Sequence, residues 1–402
     1  MPADAPTVAD EPPYAWVVVW ATFACLAVIF GVSYSFAAYF ESFTTEFTAQ
    51  RADVSLVFGL SGLIYFVLGA GAGILADRFG PRAVICAGMV CIAGGLLACS
   101  FASSMAMVIA AYGAGVGVGI AMVYTPSIAC VQPWFTKRRG LAAGLASAGI
   151  GAGTLVVPLL ATAAIGAMQW RGALRLMAAG VLVLGLGAAL LMRRAPAATA
   201  VGSRAVAGFT LGEALRTPSF RWMYLMAVLA SPGMFIPFAH LSAAARDLGI
   251  DDARAVGLVG MIGIGSLTGR FVIGGLADRI GRPLTLVMAQ ASLGLAFLLW
   301  WGAGGYLALA LFALWMGLSY GGIVSLMPAL CMDLFGARAV ASIIGALYTA
   351  AALGNLAGPW VAGWVFDRSG SYTPVVLGCL LLQLAATLLA AKVLPPRRAA
   401  VG

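Results

Sequence analysis

The stretches AGILADRFGPR, residues 72–82, and GGLADRIGRP, residues 274–283, are two copies of one motif. Asp77 and Asp278 stand 201 residues apart in a chain of 402. The same spacing relates Gly144 to Gly345 and Pro158 to Pro359. Self-similarity at half the chain length marks an internal duplication, with each half carrying the same charged turn at the same place.

What surrounds the two turns is unusually apolar. The chain is 62% hydrophobic and 9% charged, with a mean hydropathy of +1.01. Soluble domains carry about 25% charged residues. Uncharged windows of about 20 residues recur, each long enough to cross a bilayer as a helix. Twelve spans are expected, at 14–40, 54–76, 83–103, 106–132, 141–165, 172–192, 219–245, 255–277, 284–304, 306–332, 339–366 and 372–393. A membrane β-barrel would show alternating segments of about ten residues, and the chain has none. The opening MPADAPTVADEPP is acidic and lacks a basic n-region, which argues against a cleaved signal peptide. The fold class is an all-α integral membrane protein.

The net charge of +9 records topology and not a nucleic-acid partner. With both termini placed in the cytoplasm, sixteen basic residues fall on the inner side: 78, 82, 137–139, 193, 194, 204, 216, 221, 279, 282, 338, 392, 397 and 398. Six fall outside, at 51, 171, 175, 246, 254 and 368. That asymmetry follows the positive-inside rule and places the chain as a multi-pass protein of the cell membrane. All seven cysteines lie in spans, none in a CxxC pair, and the single histidine is His240, so no metal or disulfide framework is expected and no cofactor. The segment RRAPAATAVGSRAVAGFTLGEALRTP, 193–218, reads as a cytoplasmic linker with a short amphipathic helix near Thr210–Arg216. It separates an N-terminal six-helix bundle, 1–192, from a C-terminal one, 219–402.

Two six-helix halves, each leaving its second helix through G-x-L-A-D-R-x-G, resemble the major facilitator superfamily. The resemblance implies a central cavity between the halves and alternating access around it. In the repeated turn, Asp77, Arg78 and Arg82, with Asp278, Arg279 and Arg282, are expected to pair across the halves and hold the cytoplasmic side shut when the outer side is open. Asp367-Arg368 at the outer end of the eleventh helix is a weaker echo. The glycines of YGAGVGVGIAMVY, 112–124, and GLAAGLASAGIGAG, 140–153, lack a phosphate-loop lysine. Gly140/Gly144 and Gly149/Gly153 suit close helix packing instead.

One charge does not fit a loop. From Ala255 to Ala277 the only charged residue is Arg270, about 12 Å from the inner end of its helix at 1.5 Å per residue. A charge at that depth costs at least ~2.5 kcal/mol. Every acidic residue lies in a tail, a loop or near a span end. Arg270 is therefore expected to face a wet cavity near the midplane and to await an anion, best a carboxylate held by two parallel hydrogen bonds.

The stretch WFTKRRGLAAGLASAGIGAG, Trp134–Gly153, looks like the signature of monocarboxylate transporters, and Arg270 resembles that family's substrate arginine. The helix 1 opening EPPYAWVVV keeps Glu11, Tyr14 and Trp16 as echoes. Where mammalian members have a lysine in helix 1 this chain has Ala38, and where they have an aspartate four residues before the arginine it has Ser266. Oxalate/formate antiporters, a second resemblance, add a lysine in helix 11, where this chain has Ala351. One fixed cation suits a monoanion.

Tyr34, Tyr124, Tyr320 and Tyr348 are further substrate-binding candidates, with Ser266 and Asn355 as lesser polar ones; a tyrosine hydroxyl near Arg270 could donate to a carboxylate or a 2-hydroxy or 2-keto group. Pro232 and Pro237 are expected to bend the seventh helix. His240, with Asp247 beyond it, is the candidate for proton coupling. The expected function is secondary transport of small monocarboxylates such as lactate or pyruvate, by proton symport, with monocarboxylate or oxalate/formate-type anion exchange as the alternative. A monomer is the expected working unit. Export of amphiphilic cations would need a cavity acid, and enzyme chemistry a nucleophile–base pair or metal cluster; the spans offer neither.

Overall fold

The computed structural model describes residues 12–135, 138–195, 208–336 and 338–393. Glu11, Lys137, Arg204, Arg397 and Arg398 lie outside them. Eleven helices among the described residues are long and apolar enough to cross a membrane, and one of these, Leu141–Leu190, is 50 residues long. It is broken at Met168 (φ −138°) and Gln169 (φ 60°), where the backbone leaves the helical region. The tract therefore makes two crossings, and the total is twelve.

The crossings are α1 (Pro13–Glu46), α2 (Arg51–Phe79), α3 (Pro81–Cys99), α4 (Met105–Trp134), α5 (139–167) and α6 (170–190) in the first half. The second half holds α7 (Pro218–Asp247), α8 (Asp252–Ile280), α9 (Arg282–Trp301), α10 (Tyr306–Phe335), α11 (Val340–Ser369) and α12 (Thr373–Ala390). With an even number of crossings, α1 begins and α12 ends on one side, here termed the terminal face. The other side is the far face. The first crossing runs on through Ser35 to Glu46, past the 14–40 expected, because the break there is a single turn residue with helical φ and ψ.

The repeated motif owes its form to its glycines. Gly80 ends α2 at φ 92°, ψ 144°, and Gly281 ends α8 at φ 90°, ψ 144°. Both sit in a region that L residues rarely adopt, and each turns the chain directly into the next helix, α3 or α9. The Thr210–Arg216 expectation is also met. Thr210 caps Leu211–Arg216 in a capping box with Glu213, and the Phe209 N–H donates to the Phe335 carbonyl at 2.8 Å.

Small residues set the helix spacing within each half. A Cβ on Gly149 or Gly153 of α5 would lie 2.1 Å from the Phe23 carbonyl oxygen or 2.0 Å from that of Ala27 on α1. A Cβ on Gly321 of α10 would lie 2.0 Å from the Ser266 oxygen on α8. Across the halves α2 lies against α11 and α5 against α8. Gly62 leaves room there for Asn355, whose amide donates to the carbonyls of Phe58 and Gly59, both at 3.3 Å.

Candidate substrate site between the halves

Arg270 sits ten residues from the end of α8, or about 15 Å at 1.5 Å per residue. It is half-buried and lines a central cavity between the halves. Among the described residues no hydrogen bond or ion pair reaches it, and its Nε is buried without a partner. An arginine so placed carries an unanswered charge into a low-dielectric site, which makes it a receptor for an anion.

The other walls are aromatic and aliphatic. Tyr124 of α4, Tyr320 of α10 and Tyr348 of α11 line the same cavity, within electrostatic reach of the guanidinium. Tyr65 of α2 also lines it; it was missed because GLIYFVLG reads as uniform apolar packing. Ala351, at the antiporter-lysine position, faces the cavity as well, so no second cation stands there. Ser231 lines the cavity, but its hydroxyl is committed to the carbonyls of Val228 (3.0 Å) and Ala350 (3.3 Å). The Val228 carbonyl is the group that Pro232, lacking an N–H, leaves free.

Other candidates lie elsewhere. Ser266 is buried against Gly321 with its Oγ unpartnered and is not part of the lining. Asn355 is at the α2–α11 contact. Ala38 is buried in α1, away from the cavity. Tyr34 stacks on Phe238 of the other half with ring centroids 4.1 Å apart, and its hydroxyl is 3.5 Å from that of Tyr320. These rings close the cavity toward the far face.

A second, ionic layer seals the far face. Arg51 of α2 donates to both carboxylate oxygens of Asp247 of α7, at 2.8 and 2.7 Å, and to the Tyr372 hydroxyl at 2.9 Å. Its guanidinium lies 3.9 Å from the Phe366 ring centroid. Asp367 of α11 caps α2 across the halves, accepting from the N–H groups of Arg51 (3.1 Å) and Ala52 (3.0 Å). His240 is fully buried between the two layers, bonded to Ser55 Oγ (3.0 Å), Tyr372 OH (2.9 Å) and the Pro359 carbonyl (2.8 Å). His240 and Asp247 thus belong to a latch and not to the cavity wall. Sequence gave no sign of Arg51's part, since its partners are 196 to 321 residues away.

At the terminal face none of Asp77, Arg78, Arg82, Asp278, Arg279 and Arg282 pairs across the halves among the described residues. Arg82 donates to the Met192 carbonyl at 3.0 Å, Arg194 to the carbonyls of Ala76 (2.9 Å) and Asp77, and Arg282 pairs with Asp333. Each stays within its own half. Among the described residues, the ionic contacts that join the halves lie at the far face and none joins the motif charges at the terminal face.

The Major Facilitator Superfamily model matches residues 21–359. Monocarboxylate transporter 13 of Bos taurus is 32% identical over 380 residues, spanning 92% of this chain and 88% of its own length. Monocarboxylate transporter 3 of Rattus norvegicus is 29% identical over 386 residues, spanning 92% and 79%. A solved structure of a bacterial homolog of the human lysosomal transporter Spinster, inward-facing and unoccupied, superimposes with a TM-score of 0.70 at 16% identity, covering 95% of each chain. A twelve-helix duplicated chain with these relatives is a multi-pass membrane transporter and not an enzyme, and it belongs to the monocarboxylate transporter family of the Major Facilitator Superfamily.

Proposed function

We propose that this chain carries monocarboxylates across a cell membrane by alternating access, with the carboxylate neutralising Arg270. The observation that carries the reading is the buried, partnerless Nε of Arg270 on a central cavity. A planar guanidinium offers a carboxylate two parallel N–H donors, and Tyr124, Tyr320 and Tyr348 stand near enough to supply hydroxyls. Lactate and pyruvate are small cargoes that fit this scheme. Each chain holds one complete cavity, so a monomer suffices.

The basic bias of the terminal face makes it the cytoplasmic side, which makes the conformation inward-open. Halves 1–192 and 219–402 would rock about the cavity on the 193–218 linker. In the outward-open state Asp77, Arg78 and Arg82 would meet Asp278, Arg279 and Arg282 across the gap, while the Arg51 latch parts. His240 and Asp247, wetted at that stage, would take the symported proton. Anion exchange is the second reading. It is favoured by one observation, that Arg270 is the one charged residue in the described lining and no carboxylate accompanies it.

The test is uptake of labelled monocarboxylate into proteoliposomes with and without an inward proton gradient. Proton symport predicts accumulation that follows the gradient. Exchange predicts indifference to it and acceleration by internal substrate. Arg270→Gln should lose at least tenfold in kcat/KM, and equal uptake by that variant would end the carboxylate assignment.

A further inference from the structure

The two halves treat the arginines of their terminal face differently. In the second half Arg282 has an acid partner, Asp333 of α10. The residue 201 positions before Asp333 is Gln132. In the first half Arg82, Arg193 and Arg194 belong to no ion pair among the described residues. The three line one open pocket, where α2 ends, α3 begins and the chain leaves α6. Its described lining holds no acidic residue, and its other walls include Phe79, Ala83, Cys86 and Met192.

Each of these guanidiniums is held by a neutral group, so its charge is left unanswered. Arg82 donates from Nε to the Met192 carbonyl at 3.0 Å, and Arg194 donates from Nη2 to the carbonyls of Ala76 (2.9 Å) and Asp77. Arg193 lies 4.5 Å from the ring centroid of Tyr14, and the Tyr14 hydroxyl is itself tied to the Leu191 carbonyl at 2.8 Å. A guanidinium carries five N–H donors, so most of the donors in the pocket remain free. Like charges gathered in one place repel, and an anion among them turns that repulsion into attraction.

Depth selects the kind of anion. Helix α3 has 19 residues, about 28 Å at 1.5 Å per residue, which is close to the thickness of the hydrocarbon core. Its first turn, which carries Arg82, therefore lies at headgroup level. Phe79, Leu190 and Leu191 are exposed beside the pocket, and the exposed face of α3 runs on into the bilayer through Ala83, Ala87 and Val90. A free ion would leave this apolar surface unused. A phospholipid covers it with an acyl chain while its phosphate meets the arginines, and basic pockets between transmembrane helices take anionic headgroups in this way.

We propose that this pocket binds an anionic phospholipid from the leaflet at the terminal face. The phosphodiester lies among Arg82, Arg193 and Arg194, and an acyl chain follows Ala83, Ala87 and Val90. A lipid without net charge binds less well. The site shares no lining residue with the Arg270 cavity and does not depend on what that cavity carries.

The experiment is native mass spectrometry of the full-length protein in detergent with equimolar phosphatidylglycerol and phosphatidylcholine. A basic residue near an anionic membrane surface strengthens attraction about fivefold, so phosphatidylglycerol should be retained about tenfold or more over phosphatidylcholine. Arg193→Gln/Arg194→Gln should bring its retention down to the phosphatidylcholine level. Where that variant does not fold, Arg193→Gln alone removes a side chain that makes no hydrogen bond among the described residues, and retention should fall about fivefold. Arg216→Gln/Arg221→Gln, which takes two charges from the terminal face of the second half, should retain the lipid as the wild type does. Equal retention of the two lipids, or the same outcome in both double variants, would overturn the site. Displacement by inorganic phosphate, beyond that by chloride at equal ionic strength, would assign the pocket to a free anion and overturn the lipid.

Discussion

Arg51 at the start of α2 grips Asp247 at the end of α7 through two hydrogen bonds of 2.8 and 2.7 Å, and the pair joins the two halves of the molecule at the far face. The grip is reinforced by Tyr372 and by Asp367, which caps the helix on which Arg51 sits. Charge-assisted bonds of this kind contribute about 1.5–3 kcal/mol each to the state that makes them. On the proposed alternating-access reading, the two arrangements differ by a few kcal/mol. Arg51→Gln therefore removes enough to move the population toward the far-open state by tenfold or more. Spin labels at Thr45→Cys and Leu248→Cys, placed after the seven native cysteines are replaced, would report a longer far-face distance. An unchanged distance distribution would mean that the aromatic layer alone holds the far face shut.

The repeated motif predicts a matched pair of defects. Gly80 and Gly281 take φ of 92° and 90°, and a Cβ at either position would meet nothing within 4 Å. Alanine there suffers only the backbone conformation, a cost of about 1–3 kcal/mol. Gly378 in α12 is equally uncrowded but has an ordinary helical backbone, where alanine is worth about 0.5–1 kcal/mol in the opposite sense. Thermal unfolding in detergent should rank Gly378→Ala at or above wild type, with Gly80→Ala and Gly281→Ala clearly below. Equal melting of all three would show that the positive-φ turns are not what ends α2 and α8.

Much of this molecule was legible before its structure. Lipid imposes a coarse rule, so long uncharged runs, the 201-residue repeat and the charged turns locate twelve crossings with few alternatives. Arg270 stood out for the same reason, because a lone cation in an apolar helix has few physical explanations. The far-face latch was not legible. Arg51, Asp247 and Asp367 sit at span ends, where charges are ordinary, and what makes them a unit is a meeting of helices hundreds of residues apart. Tyr34 illustrates the intermediate case. Its residue type and depth suggested the cavity, whereas rotation about the helix axis, which sequence does not fix, put it in the aromatic plug instead.

The linker helix gives a pH dependence of definite sign. The Glu213 carboxylate accepts from the Thr210 N–H and hydroxyl at 2.7 and 2.8 Å, and these bonds hold its pKa below the usual carboxylate value. A depressed pKa in the folded state means stabilisation that is present above the unfolded value and lost as the pH falls through the folded one. The helix Leu211–Arg216 should therefore loosen in acid. The protection of its amides against hydrogen exchange, taken relative to the intrinsic rate at each pH, should fall below about pH 4, near the ordinary glutamate value, and Glu213→Gln should remove that fall. Protection that is flat with pH in the wild type would show that the capping box does not hold this helix.

His240 supplies the last prediction. Two of its three contacts suit a neutral ring: the Pro359 carbonyl, which can only accept, takes the Nε2 proton at 2.8 Å, and Nδ1 then accepts from the Tyr372 hydroxyl at 2.9 Å. That hydroxyl in turn accepts from Arg51 at 2.9 Å, so the chain of donors runs one way, from the guanidinium to the backbone. A second proton on the ring would have Nδ1 compete with Arg51 for the Tyr372 oxygen, beside the Arg51 cation. On the symport reading, protonation accompanies far-face opening. If the proton travels with the carboxylate, His240→Gln, which keeps an amide donor for the Pro359 carbonyl, should abolish accumulation driven by a proton gradient. Exchange of internal for external monocarboxylate should continue within about threefold of wild type, because Arg270 and the cavity wall are untouched. Gradient-driven accumulation that persists at the wild-type level in His240→Gln would assign proton coupling to another group or to none, and the latch would then be a purely mechanical closure.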